Sequence, residues 1–117
     1  MIDKKILIVD DDPDILESLR LMLSLKNYEV ETLSKGQEEF KTNFQPDLFL
    51  LDVWLSGEDG RDICKKLKTT PETQNIPVIM ISASHALKNS VLEVGADAFI
   101  PKPFEMETLL GVINELI

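Results

Sequence analysis

Apolar residues recur along this chain in two rhythms. Short apolar runs cover Ile6 to Val9, Tyr28 to Leu33, Leu48 to Leu51, Val78 to Ile81 and Ala98 to Ile100. The first, third and fourth are continuously apolar, as expected of parallel strands covered on both faces. Helix-period segments lie between them. Asp12 is placed to cap a helix with Pro13 at its first position, and Ile15, Leu16, Leu19, Met22 and Leu23 then form one stripe. Gly36 to Phe44 reads as a short second helix. Asp59 to Lys68 carries Ile63, Cys64 and Leu67 on one side, and Ala86 to Val94 stops at Gly95. A last helix starts at about Phe104 and turns Met106, Leu109, Leu110, Ile113 and Leu116 to the core. Five βα units predict an α/β fold, a doubly wound parallel sheet with right-handed crossovers.

The chain of 117 residues is expected to form one domain, large enough for a real core and too short for two. No segment approaches the roughly 18 apolar residues of a membrane span, and Met1 to Lys5 is followed by too short an apolar run for a signal peptide. Cys64 is the single cysteine, so no internal disulfide forms, which fits a reducing cytoplasm. Net charge is −9 and no stretch is strongly basic, which argues against nucleic-acid binding by this chain alone.

In a doubly wound sheet, ligands bind beyond the carboxyl ends of the strands. At those ends stand Asp10, Asp11 and Asp12 after the first strand, Asp52 at the third and Ser82 at the fourth. Lys102 follows the fifth in Ile100-Pro101-Lys102-Pro103, while Leu33-Ser34-Lys35 after the second carries less evident chemistry. Several carboxylates at one edge suit a hard cation such as Mg²⁺, which takes oxygen ligands and often shares its sphere with a phosphate. A lysine across the cleft suits a phosphoryl oxygen, and a serine hydroxyl can donate to another. One carboxylate is left to act as a nucleophile and form an acyl phosphate. Phosphoryl transfer needs mainly positioning and charge neutralisation, and these groups supply both.

The chain resembles, over its whole length, the response-regulator receiver domains of two-component signalling. The resemblance rests on Ile6-Leu7-Ile8-Val9-Asp10-Asp11-Asp12, on Leu50-Leu51-Asp52-Val53-Trp54-Leu55 with Asp59-Gly60, on Ile81-Ser82-Ala83, and on Gly95-Ala96-Asp97-Ala98-Phe99-Ile100-Pro101-Lys102-Pro103-Phe104. It implies a flavodoxin-like (βα)5 fold with strand order 2-1-3-4-5 and a receiver domain over residues 1–117. It also implies that Asp52 is the phosphoacceptor, and that Asp11, Asp52 and the backbone carbonyl of Trp54 contact Mg²⁺, or Mn²⁺ in its place, with Asp10 acting through water. Ser82 would be the switch hydroxyl, Phe99 the aromatic that turns inward with it, and Lys102 the partner of the phosphoryl group, with a cis Lys102–Pro103 bond. The implied partners are a histidine kinase or histidine phosphotransfer protein and a downstream output protein or domain. The implied role is that of a signalling module, either a stand-alone receiver or a piece of a larger regulator, that catalyses its own phosphorylation and dephosphorylation. The chain departs from the family pattern at Ser56, where proline is frequent, at Phe99, where tyrosine is frequent, and in a shorter stretch from Ser82 to Gly95.

Each residue also has a plainer role open to it. Asp10 and Asp11 could be solvated turn acids, Lys102 a solvated lysine, Ser82 an ordinary strand-end serine and Phe99 core. Helix capping explains Asp12 better than metal binding does. Cys64 reads as a small buried hydrophobe and His85 as a loop residue. Trp54 follows Asp52 too closely to be deep core and is placed at the site rim. Leu21 and Leu25 fall off the first helix's stripe, as surface leucines or as part of a partner-binding patch. Among functions, the rival is a haloacid dehalogenase-like phosphohydrolase with an aspartate nucleophile in Asp10-Asp11-Asp12. That plan leaves Asp52 unexplained, and the cap domain and second acidic pair it needs are missing. A non-phosphorylated interaction module would leave the whole constellation unused.

Overall fold

A computed structural model describes residues 3–34, 45–55 and 57–117. The expected helix at Gly36 to Phe44, along with Lys35 and Ser56, lies outside the described residues. Five strands, β1 (Lys5–Val9), β2 (Glu29–Leu33), β3 (Leu48–Asp52), β4 (Val78–Ser82) and β5 (Ala98–Pro101), form one sheet. All neighbours in it are parallel and the order is β2-β1-β3-β4-β5, the predicted flavodoxin-like arrangement. Around it pack α1 (Pro13–Leu25), α2 (Gly60–Lys68), α3 (Lys88–Glu93) and α4 (Met106–Leu116).

The side-chain alternation of the strands divides the core in two. Leu7, Val9, Phe49, Leu51, Val78 and Met80 face Ile63, Cys64 and Leu67 of α2 and Val91 of α3. Ile6, Ile8, Leu48, Leu50, Ile79, Ile81 and Ile100 face Leu19 and Leu23 of α1 and Leu109 and Ile113 of α4. Fully burying one such aliphatic side chain contributes about 1.5–3 kcal/mol, so the central strands are anchored from both sides. Their carboxyl ends are thereby held level.

Helix boundaries follow local chemistry. The Asp12 carboxylate accepts from the backbone N–H groups of Asp14 and Ile15, at 2.9 and 3.4 Å, which makes it the N-cap of α1 with Pro13 inside the first turn. Met22, expected on the buried stripe, is 40 % exposed, because Leu19 and Leu23 already fill the contact with the sheet. Leu21 and Leu25 also point outward. The segment expected as one helix from Ala86 to Val94 is instead a 3-10 turn at His85–Leu87 followed by α3, and His85 is exposed. Gly95, at φ +101, closes α3 as expected. α4 begins at Met106 rather than Phe104, after the extended Glu105.

A small antiparallel hairpin of Trp54–Leu55 with Glu58–Asp59 follows β3, and no signal in the apolar pattern announced it. It turns through Gly57 at φ +73 and delivers the chain to α2. There the N–H of Gly60 donates to the Val53 carbonyl at 2.6 Å. A Cβ at residue 60 would collide with the backbone carbonyl oxygen of Asp52. Only glycine lets α2 start this close to the end of β3.

Two outcomes follow. Replacing Gly60 by alanine forces backbone apart at the end of β3, and overpacking of this kind costs about 1–3 kcal/mol. Gly60→Ala should therefore melt several degrees below the wild type, whereas Gly111→Ala, where a Cβ meets nothing within 4 Å, should not. Burial pushes the Cys64 thiol up to about 11. The folded value lies above the unfolded one, so the stability from burying the neutral thiol is fully present below the unfolded value. It is lost as pH rises through about 11. Denaturant midpoints measured from neutral to alkaline pH should fall more steeply for the wild type than for Cys64→Ala, even though the variant starts less stable.

Candidate functional site

The parallel registers set the level of each strand end. Asp52 closes β3 opposite Ile81, one residue short of Ser82, and Ser82 pairs with Pro101, one residue short of Lys102. Asp10 is the first residue past β1, and its N–H donates to the Leu33 carbonyl at 3.0 Å. Residues drawn from four strands therefore meet at one edge.

Asp10 and Asp52 are buried, at 2 % and 8 % exposure. The Lys102 ammonium bridges them, with Nζ 3.4 Å from Asp10 Oδ2 and 3.3 Å from Asp52 Oδ2. The second oxygen of Asp10 accepts from the Asp12 N–H at 2.9 Å, and that of Asp52 from the Trp54 N–H at 3.3 Å. Lys102 is held by its own backbone, whose N–H donates to the Ser82 carbonyl at 2.9 Å. The Lys102–Pro103 bond is cis, as the resemblance implied.

The electrostatics are those of an over-acidic pocket. Burial, and then the negative charge of Asp10, push the Asp52 carboxyl above its ordinary range; Lys102 pulls it down without restoring it. Burial alone would lower the pKa of Lys102, but the carboxylates of Asp10 and Asp52 outweigh it and hold the ammonium above the usual lysine value. Asp10, Asp11 and Asp52 each offer an oxygen within 4.8 Å of the others. These are the residues that would hold a divalent cation at this edge. The all-oxygen donor set and the excess negative charge both fit a hard divalent cation.

Of the remaining residues singled out in the sequence, Ser82 is fully buried and its Oγ accepts from the Ser84 N–H at 3.0 Å. Phe99 is half-buried against the core face shared with α2 and α3. Trp54 has its side chain exposed, and its backbone N–H is what reaches the Asp52 carboxylate. Asp12 stands apart as a helix cap.

Arg61 escaped the sequence reading. Its guanidinium sits 5.3 Å from the centroid of the Trp54 ring and pairs with Asp59 at 2.6 Å, holding that carboxyl below the usual carboxylate range. The hairpin that brings Trp54 and Asp59 side by side is what makes the contact, so nothing in the linear spacing could have shown it.

Residues 6–114 match the family described as response regulator receiver domain. Response regulator MprA of Mycobacterium leprae (strain TN) is 38% identical over 117 residues, which cover 97% of this chain and 50% of the relative. The chain thus spans about half the length of the curated relatives it matches. A CheY-like response regulator receiver domain protein from Methanospirillum hungatei JF-1 superposes with a TM-score of 0.88 at 36% identity, covering 97% of this chain and 93% of that one. TrrA of Thermotoga maritima, a response regulator solved in complex with Mg²⁺ and BeF, gives a TM-score of 0.87 at 27% identity, with 97% and 99% covered. The phosphohydrolase reading has no support in these relationships. With the matched family spanning nearly all of its length and the acidic edge in place, the chain belongs to the response regulator receiver domains of two-component systems.

Proposed function

We propose that residues 1–117 work as one phosphoacceptor domain, taking a phosphoryl group onto Asp52 from a histidine kinase or histidine phosphotransfer protein. The observation that carries this is a buried aspartate at a strand end, bridged by a lysine and flanked by two further carboxylates. An Asp52 oxygen attacks phosphorus, the bond from phosphorus to the donor nitrogen breaks, and the electron pair leaves on the imidazole. An acyl phosphate results, and water attacking phosphorus later returns the carboxylate and inorganic phosphate.

Each residue contributes through its position. Lys102, already 3.3 Å from Asp52, is placed to pair with a phosphoryl oxygen. Asp10 holds that ammonium in the cleft from the other side. Ser82 uses its oxygen as an acceptor from Ser84, which leaves its proton to be donated to the phosphoryl group. Mg²⁺, or Mn²⁺ in its place, held by Asp11, Asp52 and the backbone carbonyl of Trp54 with Asp10 acting through water, would neutralise charge on the phosphoryl oxygens. The Mg²⁺–BeF complex of TrrA is in keeping with that assignment.

Phosphorylation then shifts a pre-existing equilibrium, with Ser82 moving toward the phosphoryl group and Phe99 turning inward. The changed surface lies around β4, β5, α3 and α4 and is read by a downstream output protein or domain. The domain is a signalling module, not an enzyme with a separate substrate. A cytoplasmic setting agrees with its lone buried cysteine; among the described residues no helix is long and apolar enough to cross a membrane.

Incubation with a small acyl phosphate donor and Mg²⁺ should add a single alkali-labile phosphoryl group by intact-mass measurement. Asp52→Asn should remove it, and Asp12→Asn should keep it. Ser82→Ala and Lys102→Ala should retain some phosphorylation while losing the backbone NMR shifts that accompany it between Ser82 and Phe99. A phosphoryl group that persists in Asp52→Asn would overturn the assignment.

A further inference from the structure

Trp54 stands two residues past Asp52 with its side chain largely in solvent, yet the ring is not loose. Arg61 covers it at 5.3 Å. The guanidinium is itself fixed on two sides. Its Nε and Nη2 donate to the Asp59 carboxylate at 2.6–3.1 Å, and Asp59 is the cross-strand partner of Trp54 in the hairpin. Its Nη1 donates to Ser90 Oγ at 3.1 Å, and Ser90 belongs to α3.

Helix capping does not account for this arrangement. Asp59 caps α2 by accepting from the backbone N–H of Arg61, which almost any residue would supply. The side chain adds a planar fork that reaches Asp59, Ser90 and the indole at once, and a point-charge ammonium cannot satisfy all three. Ser90 is also linked to the phosphate edge through the chain. From Ser82 only Ala83, Ser84 and the turn at His85–Leu87 intervene before α3, and Ser90 Oγ donates to the Leu87 carbonyl at 2.9 Å.

We propose that Arg61 is a positioning residue that ties the Trp54 indole, at the rim of the Asp52 site, to α3 through Ser90, so that displacement of α3 loosens the indole and opens Asp52 to water. The lifetime of the phosphoryl group is thereby set in part by a helix that does not touch it. This inference rests on the phosphoacceptor role of Asp52. Coupling of this kind is reciprocal in binding free energy, so whatever holds α3 in place also holds the indole.

Trp54 is the only tryptophan, so acrylamide quenching of its fluorescence reads the indole directly. Ser90→Ala, Arg61→Met and Arg61→Lys are compared with the wild type, together with melting temperature and the decay of the phosphorylated form. Quenching should rise in Ser90→Ala and Arg61→Met. Their phosphoryl groups should decay about two- to fivefold faster, the range that an exposed cation–π contact supports. Arg61→Lys should fall between, keeping a cation over the ring without the fork. Phosphorylation should raise quenching in the wild type and change it less in Ser90→Ala. If Arg61→Met fails to fold, Ser90→Ala decides alone. Quenching and decay in Ser90→Ala equal to the wild type would overturn the tether, as would changes in melting without changes in quenching. Should no variant take a phosphoryl group, the role of Asp52 fails instead, and quenching of the unmodified proteins still decides the tether.

Discussion

The structure turns on one ammonium group holding two buried carboxylates together. Two carboxylates about 4 Å apart repel by roughly 4 kcal/mol at an effective dielectric near 20, and burial of Asp10 and Asp52 removes much of the solvent that would otherwise screen them. Lys102, 3.4 Å from Asp10 and 3.3 Å from Asp52, offsets part of that. The direction of the Asp52 shift shows that the offset is incomplete. Ion clusters of this kind are weak sources of stability. The Asp52 carboxyl stays above its ordinary range despite Lys102, and a cation beside it would favour its ionised form.

The rest of the fold serves to keep that edge in register. β1 and β3 are neighbours clamped between two apolar layers, so Asp10 and Asp52 cannot move apart without disturbing both. β5 is held to β4 up to the Lys102 N–H, which places the ammonium across the cleft. Gly60 brings α2 against the last peptide of β3, and the hairpin between them carries Trp54 to the rim. A change of charge at Asp52 is therefore felt by groups already in contact with it, and the chain that leaves Ser82 at the same edge reaches α3 after five residues.

Much of this was legible in the sequence, for identifiable reasons. Continuously apolar runs occur when a strand is covered on both faces, so β1, β3 and β4 announced themselves, and with them the edge where Asp10, Asp52, Ser82 and Lys102 meet. Asp12 was separable from its neighbours because an aspartate before Pro13 has a specific task at a helix start. What stayed hidden depended on contacts without periodicity. The hairpin after β3 has two residues per strand, too short for any pattern, and the Trp54–Arg61 pair exists only because of it. Met22 followed the helical period yet faces solvent, since the sheet in front of α1 is already covered by Leu19 and Leu23. The break before α3 reflects a chain that leaves Ser82 in a tight turn, with Ser84 donating back to its hydroxyl, before a full helical turn can form.

Ionised Asp52 is electrostatically strained in this pocket, and a bound cation should relieve it. Its folded pKa lies above the unfolded value, so the ionised carboxylate lowers stability at neutral pH. The direct measurement is melting temperature at neutral pH for the wild type and Asp52→Asn, titrated with MgCl₂ and, at matched ionic strength, with NaCl to control for screening. Without Mg²⁺ the variant should melt higher than the wild type. At about 100 times the dissociation constant, Mg²⁺ should stabilise the wild type by roughly 2.7 kcal/mol, several degrees for a domain of this size, and the variant far less. A variant that melts no higher than the metal-free wild type, or a wild type that responds alike to MgCl₂ and NaCl, would contradict the account.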